Sequence, residues 1–318
     1  MTTSRTGPVA LARPTTSGSK RLSRLSRSST AGGWAGTPYM FLAAALALVL
    51  TFTYYPVANM IWYSFNDWDG ISPKVPVGLD NYVEIFTSPE YWQVFSVSLY
   101  YFGASFVQMA IALYFATLLS ARTRGLAFFK GALFFPYLVN GVAVGLIFLF
   151  FFRPGGTFDS VLAFVGLGAL HTQWLGNPDV VNYSLAGASV WRYAGLNFVL
   201  FLGAIQSIPG ELYEAAELDG ANRWQQFRYI IAPGIKRIIS LSFILAIGGS
   251  LSAFELPYII TGGKNGSATF VIQTIQQAFV YRQFGLASAM AVILLVVVLV
   301  VTFLQRKLVP DEEVALAS

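Results

Sequence analysis

The sequence has no cysteine and a single histidine, His171, in 318 residues. Without thiols there are no disulfides, no Cys-ligated metal sites and no thiol catalysis, and the redox compartment stays open. One histidine argues against a multi-His metal site and against Ser-His-Asp chemistry within one chain. Charge is scarce as well: 11% of residues are Asp, Glu, Lys or Arg, against roughly 25% in a soluble domain. So few charges cannot coat a soluble protein of 34.7 kDa, which excludes a cytosolic globular enzyme. Acid is missing altogether before Asp67. The net charge of +5 does not signal nucleic-acid binding, because of where the charge sits.

What remains is apolar: 55% hydrophobic residues and a mean hydropathy of +0.60. Residues 1–35 stand apart, with Arg5, Arg13, Lys20, Arg21, Arg24 and Arg27 among Ser, Thr and Gly. Such a segment buries too little apolar surface to offset its ordering entropy and reads as a disordered basic tail. A transit peptide shares this composition; a secretory signal does not fit, because the apolar run from Tyr39 is too long and no small-residue cleavage site follows.

Six apolar stretches follow, at about 38–60, 94–119, 131–152, 184–208, 238–260 and 285–304. Each reaches the ~20 helical residues that a bilayer core requires. The expected fold is an all-α membrane protein with six transmembrane helices over 36–308, then a short tail, 309–318. Fifteen of the twenty Lys and Arg fall in the N-terminal tail, the 120–130 loop, the 209–237 loop and the C-terminal end. The 64–93 loop between them is acidic. By the positive-inside rule both termini face the cytoplasm. Within 153–183, the run Val161–Leu170 is too short to cross and reads as a re-entrant or interfacial element, or as a packed loop.

The most informative segment is the 209–237 loop. Pro209 suits a first helical turn, Glu211 and Glu214 lie near the positive end of the helix dipole, and Gly220 suits a left-handed helix end. Leu212, Ala215, Ala216 and Asp219 share one face. A second short helix is expected over Asn222–Ile231, closed by Pro233-Gly234. The residues alone allow two readings, an interfacial amphipathic helix or a docking knob for a cytoplasmic partner.

Glu214-Ala215-Ala216, Gly220, and Ile230 with Pro233 resemble the EAA loop of permease subunits of binding-protein-dependent ABC importers. Tyr55-Pro56 followed by Ser64-Phe65-Asn66-Asp67-Trp68 resembles the end of that family's first span, and Gly78-Leu79-Asp80-Asn81-Tyr82 its first external loop; Ala215-Ala216-Glu217-Leu218-Asp219-Gly220-Ala221 and Thr261-Gly262-Gly263 are similar to its carbohydrate-uptake (maltose and glycerol-phosphate type) branch. The resemblance covers nearly the whole chain after residue 38. It implies a multi-pass subunit of a bacterial or archaeal cell (inner) membrane, non-catalytic itself. It further implies a second homologous permease, two cytoplasmic ATPase subunits, an extracytoplasmic substrate-binding protein and a sugar substrate. Glu214, Ala215, Ala216, Asp219, Gly220, Ile230 and Pro233 would then couple to the ATPase. No nucleotide-binding loop is present, since Gly263-Lys264 is followed by Asn265. ATP and Mg would therefore be bound by the partner ATPase, and no cofactor is expected in this chain.

Polar groups inside apolar stretches are costly and point to a pathway or to a partner. Arg192 lies ~12 Å into the fourth stretch at 1.5 Å per residue, and Glu255 lies near the outer end of the fifth. Either they form a structural ion pair or snorkel to the outer interface, or they contact sugar hydroxyls or the partner permease. Asn140 and Asn197, with Gln108 and Gln206, are candidate hydrogen-bonding groups; Tyr193 and Tyr258, with Phe254, are candidate stacking surfaces. Pro136, Gly141, Gly145 and Pro257 are positions where a helix can break or bend. A lone deep cation favours a neutral sugar over glycerol phosphate. His171 and Asn177 are expected to carry no special role. An intramembrane serine protease would need Gly-x-Ser-Gly, but Ser189 is followed by Val190. A secondary transporter stays the alternative, although it leaves the Glu-Ala-Ala loop unexplained.

Overall fold

The computed structural model describes residues 37–120 and 125–308. The expected tails, 1–35 and 309–318, lie outside the described residues, as do Arg122 and Arg124. The chain divides into two units, Met1–Pro56 and Val57–Ser318. In the first, helix α1 (Thr37–Val49) runs into a π turn, Leu50–Tyr54. Helix α2 (Tyr55–Tyr63) carries the boundary.

The second unit continues with a two-residue antiparallel pair, β1 (Asn66–Asp67) and β2 (Val75–Pro76), in which Asn66 opposes Pro76. Then come α3 (Asp80–Thr87), α4 (Pro89–Ser120), α5 (Leu126–Leu138), α6 (Gly141–Phe152), α7 (Thr157–Phe164) and α8 (Pro178–Gln206). They are followed by α9 (Gly210–Leu218), α10 (Arg223–Gln226), α11 (Ala232–Gly234), α12 (Lys236–Leu251), α13 (Glu255–Thr261), α14 (Phe270–Phe279) and α15 (Phe284–Leu308).

Five helical stretches are long and apolar enough to cross a membrane: Tyr39–Tyr63, Pro89–Ser120, Pro178–Gln206, Lys236–Thr261 and Phe284–Leu304. The third apolar stretch of the sequence is different. It forms the pair α5 and α6, bent by 92°, which makes a sixth span if the pair crosses as one. Pro136 sits inside α5, where it lacks an N–H and crowds the preceding turn. Val139 is extended, and the Asn140 side chain accepts from Val142 N at 2.9 Å to start α6 afresh. The fifth span is also interrupted. Residues Ser252–Phe254 separate α12 from α13, and Pro257 falls in the first turn of α13, where no N–H is required.

In lipid, apolar burial gains little from leaving water, so close van der Waals packing has to hold the helices together. Helices α4 and α8 pack against each other most extensively. Small residues let backbones approach: a Cβ on Gly195 of α8 would overlap the Leu133 carbonyl of α5. Three buried clusters result. One joins α4, α8 and the segment after α9 through Ala112, Ala116, Phe198, Phe201, Ile205, Ile231 and Ile235. A second joins α3, α4, α14 and α15 around Ile85, Tyr91, Phe270 and Met290. The third joins α4, α6, α8 and α13 around Val97, Val144, Leu185 and Leu256.

The Val161–Leu170 run is α7 plus a single 3-10 turn, Gly168–Leu170. His171 and Asn177 do more than the sequence suggested. His171 Nε2 lies 3.2 Å from Oδ1 of Asp159, which is buried and also accepts from Trp174 Nε1 and the Gly155 N–H, each at 2.7 Å. Asn177 caps α8 by accepting from Asp179 N.

Candidate coupling loop and transport cavity

Helix α9 is closed at its C-terminus by paired backbone bonds. Ala221 N donates to Ala216 O (2.9 Å) and Gly220 N to Glu217 O (3.1 Å), with Gly220 at φ +74°. This is the Schellman pattern, and its left-handed residue favours glycine. Pro209 is the N-cap, one residue ahead of the first turn. A reciprocal capping box starts the next helix: Gln225 N donates to Asn222 Oδ1, and Asn222 N donates to Gln225 Oε1.

That second helix does not stop at Ile231. It passes through a π turn, Phe227–Ile231, and continues to Gly234. The wider turn lies just before Pro233, whose ring would crowd an ordinary turn.

Ile231 and Ile235 are buried in the cluster with Phe198, Phe201 and Ile205, and Tyr213 packs against it. Burial pushes the Tyr213 phenol up. With its base held there, the outer surface is bare: Glu214, Ala215, Asp219, Gly220 and Pro233 are exposed, and Ala216 and Ile230 are half-buried. Two exposed residues lie outside the expected coupling set. Leu218 is 90% exposed, and Trp224, 65% exposed, stacks on Phe227 with ring centroids 5.4 Å apart. Large apolar side chains in a polar loop were the available signal.

The second candidate site is a cavity of about 480 Å³ between α4, α5, α8 and the α12–α13 break. Its wall contains Tyr101, Ser105, Gln108, Tyr137, Tyr193, Asn197, Ser242 and Glu255. Arg192 Nη1 donates to Glu255 Oε2 at 2.6 Å, so the two charges are paired across 63 positions of sequence. Its guanidinium also lies 5.1 Å from the Tyr193 ring centre. Gly141, first residue of α6, makes room: a Cβ there would overlap the Glu255 carboxyl. The two helix breaks, after Leu138 and after Leu251, thus meet at this carboxylate.

Of the six pathway candidates, Tyr193, Asn197 and Glu255 line the cavity, and Arg192 stands behind Glu255. Asn140 and Tyr258 do not line it. Asn140 is exposed and caps α6, and Tyr258 stacks on Phe254, centroids 5.0 Å apart. Gln108 and Phe254 line the wall, and Gln206 does not. Nothing in residue type or spacing marks Tyr101 and Ser242, whose buried hydroxyls make no hydrogen bond here. A larger, more open apolar groove of about 630 Å³ runs along α4 and α8, lined by Leu99, Tyr100, Val107 and Tyr183 among others, and holds no charged residue. Among the described residues no group of three or more His, Asp or Glu could hold a metal ion.

Residues 108–313 match the family described as binding-protein-dependent transport system inner membrane component. The probable ABC transporter permease protein YurN of Bacillus subtilis is 34% identical over 277 residues, covering 85% of this chain and 94% of that one. The multiple sugar-binding transport system permease protein MsmF of Streptococcus mutans is 32% identical over 280 residues, covering 87% and 96%. A solved bacterial ABC transporter involved in import of the acidic polysaccharide alginate contains a chain of the same fold. Its TM-score is 0.75 at 22% identity, covering 85% of this chain and 94% of that one. The chain belongs to the family of binding-protein-dependent transport system inner membrane components.

Proposed function

We propose that this chain is a membrane-spanning, non-catalytic permease subunit of an ATP-driven sugar importer. Its cavity between α4, α8 and α12 forms part of the path of a mono- or oligosaccharide. It works with a second permease and two ATPase subunits, which bind ATP and Mg, and with an external binding protein. Both termini and α9 face the cytoplasm. The observation that carries the proposal is the seating of α9: a short helix capped at its end stands on the buried cluster that also holds the end of α8. The likeness to MsmF, a multiple sugar-binding transport system permease protein, supports the substrate class.

The coupling follows from rigidity. Docked in a cleft of the ATPase, Glu214, Ala215, Ala216, Asp219 and Gly220 would receive its motion. Ile231, Ile235 and Tyr213 pass that motion to Phe198, Phe201 and Ile205 of α8. Thirteen residues before Ile205 on the same helix, ~20 Å at 1.5 Å per residue, stands Arg192. A push on α9 therefore moves one wall of the cavity, as alternation between inward- and outward-open states requires. Ile230 and Pro233 fix the loop's return.

The test is an affinity pull-down of the tagged chain from its native membrane beside Glu214→Lys, read by mass spectrometry. Wild type is expected to bring a second permease and an ATPase, and the variant to lose the ATPase selectively. Recovery of the chain alone, with Glu214→Lys transporting normally, would favour a secondary transporter.

A further inference from the structure

The Arg192–Glu255 pair is asymmetric. The arginine side chain is 11% exposed and the glutamate 42% exposed, and only Glu255 belongs to the cavity wall. The cation is thus withdrawn behind the anion. Its Nη1 is committed to Glu255 Oε2, its plane lies by the Tyr193 ring, and its Nε is buried. An incoming ligand meets a carboxylate, not a guanidinium. Gly141 holds that carboxyl close, because its missing Cβ is the space the carboxyl occupies. The rest of the polar wall is neutral: the unpartnered hydroxyls of Tyr101 and Ser242, with Gln108 and Asn197.

We propose that Glu255 is a charge filter in the cavity: it holds Arg192 out of reach and makes the path accept neutral, hydroxyl-rich saccharides while rejecting those that carry uronic acids. This deepens the reading of the chain as a sugar permease and rests on it. A carboxylate accepts hydrogen bonds from sugar hydroxyls but repels a second carboxylate, and within the membrane that repulsion is weakly screened. Charge selectivity is then a property of these side chains and not of the fold, which is shared with a chain of an alginate importer.

The experiment uses the assembled importer in nanodiscs without its binding protein, so that only the membrane path is read. The probes are trigalacturonate and its trimethyl ester, which has nearly the same shape and no charge. Wild type is expected to bind the ester at least tenfold more tightly than the acid. Glu255→Gln frees Arg192 and should improve acid binding at least tenfold, a gain that loss of packing cannot produce. Arg192→Gln/Glu255→Gln leaves no buried cation unpaired and serves where the single variant does not assemble. It should also gain acid binding, by less than Glu255→Gln. Wild type binding acid and ester within twofold of each other, or no gain in either variant, overturns the filter. Failure of the sugar-permease reading would look different: in proteoliposomes supplied with ATP and the binding protein, the wild-type importer would take up no saccharide, whatever the ratio of acid to ester.

Discussion

Gly141 and Glu255 share one small volume: the place where a Cβ would stand on Gly141 is filled by the Glu255 carboxyl, which in turn holds Arg192 at 2.6 Å. Gly141→Ala must therefore push the carboxyl aside. Breaking a fully buried ion pair costs about 3–5 kcal/mol, and the partial exposure of Glu255 places the expected loss below that. Thermal unfolding of the purified variant should fall by several degrees. Gly103→Ala, where a Cβ meets nothing within 4 Å and alanine is the better helix former, should not lower it.

The hairpin before α8 should respond to acid. Burial opposes ionisation of Asp159, but bonds from Trp174 and the Gly155 N–H, with His171 alongside, outweigh it and hold the carboxyl below its usual range. A depressed folded-state pKa gives stability that is fully present above the unfolded value, near 3.9, and is lost as pH falls through the lower one. Amide exchange of residues 157–177 should show Asp159's contribution intact at neutral pH and declining below about 4. Asp159→Asn should abolish that acid-dependent part, and His171→Gln should move it to higher pH.

Periodicity and composition carried most of the fold into view, because a bilayer admits few backbone arrangements. The apolar stretches, the short helix ending at Gly220 and the pairing option for Arg192 with Glu255 were all readable from residue type and spacing. The 92° bend between α5 and α6 was only half legible: Pro136 and Gly141 marked a weak place, but its angle depends on α8 and α13 packing from outside the segment. The cavity wall was less legible still. Asn140 is as polar as Asn197, yet one is spent on a helix cap and the other is buried beside the cavity. No local pattern separates them. Tyr101 looked like any aromatic in an aromatic-rich span.

Leu218 separates docking from folding. At 90% exposure its side chain contributes nothing to the core, so Leu218→Asp should keep the melting temperature of the isolated subunit within about a degree, as surface changes usually do. If α9 sits in an ATPase cleft, the same change should reduce ATPase co-purification several-fold. Retention of the ATPase at wild-type yield would remove Leu218 from the contact.

Gly220→Ala tests the rigidity of the same knob. Nothing lies within 4 Å of the added methyl, so the only penalty is a left-handed backbone, at φ +74°, carrying a Cβ. That costs about 1 kcal/mol. The expected outcome is a modest loss of ATP-driven transport with binding of the ATPase retained, read by comparing uptake with complex yield. Gly220→Asn, which tolerates this conformation better, should recover part of the loss.

Tyr101 makes opposite predictions for stability and for transport. Its hydroxyl is buried and has no hydrogen-bond partner within the chain, a state that costs roughly 1–3 kcal/mol. Tyr101→Phe removes the oxygen and keeps the ring packed against Val144, Leu185 and their neighbours. The ligand-free subunit should therefore be as stable as wild type or more so, measured by thermal unfolding. If a saccharide hydroxyl is the missing partner, the same variant should bind saccharide more weakly, with KM rising several-fold. A variant that is stabilised and also transports with unchanged KM would show that the Tyr101 hydroxyl serves neither packing nor substrate.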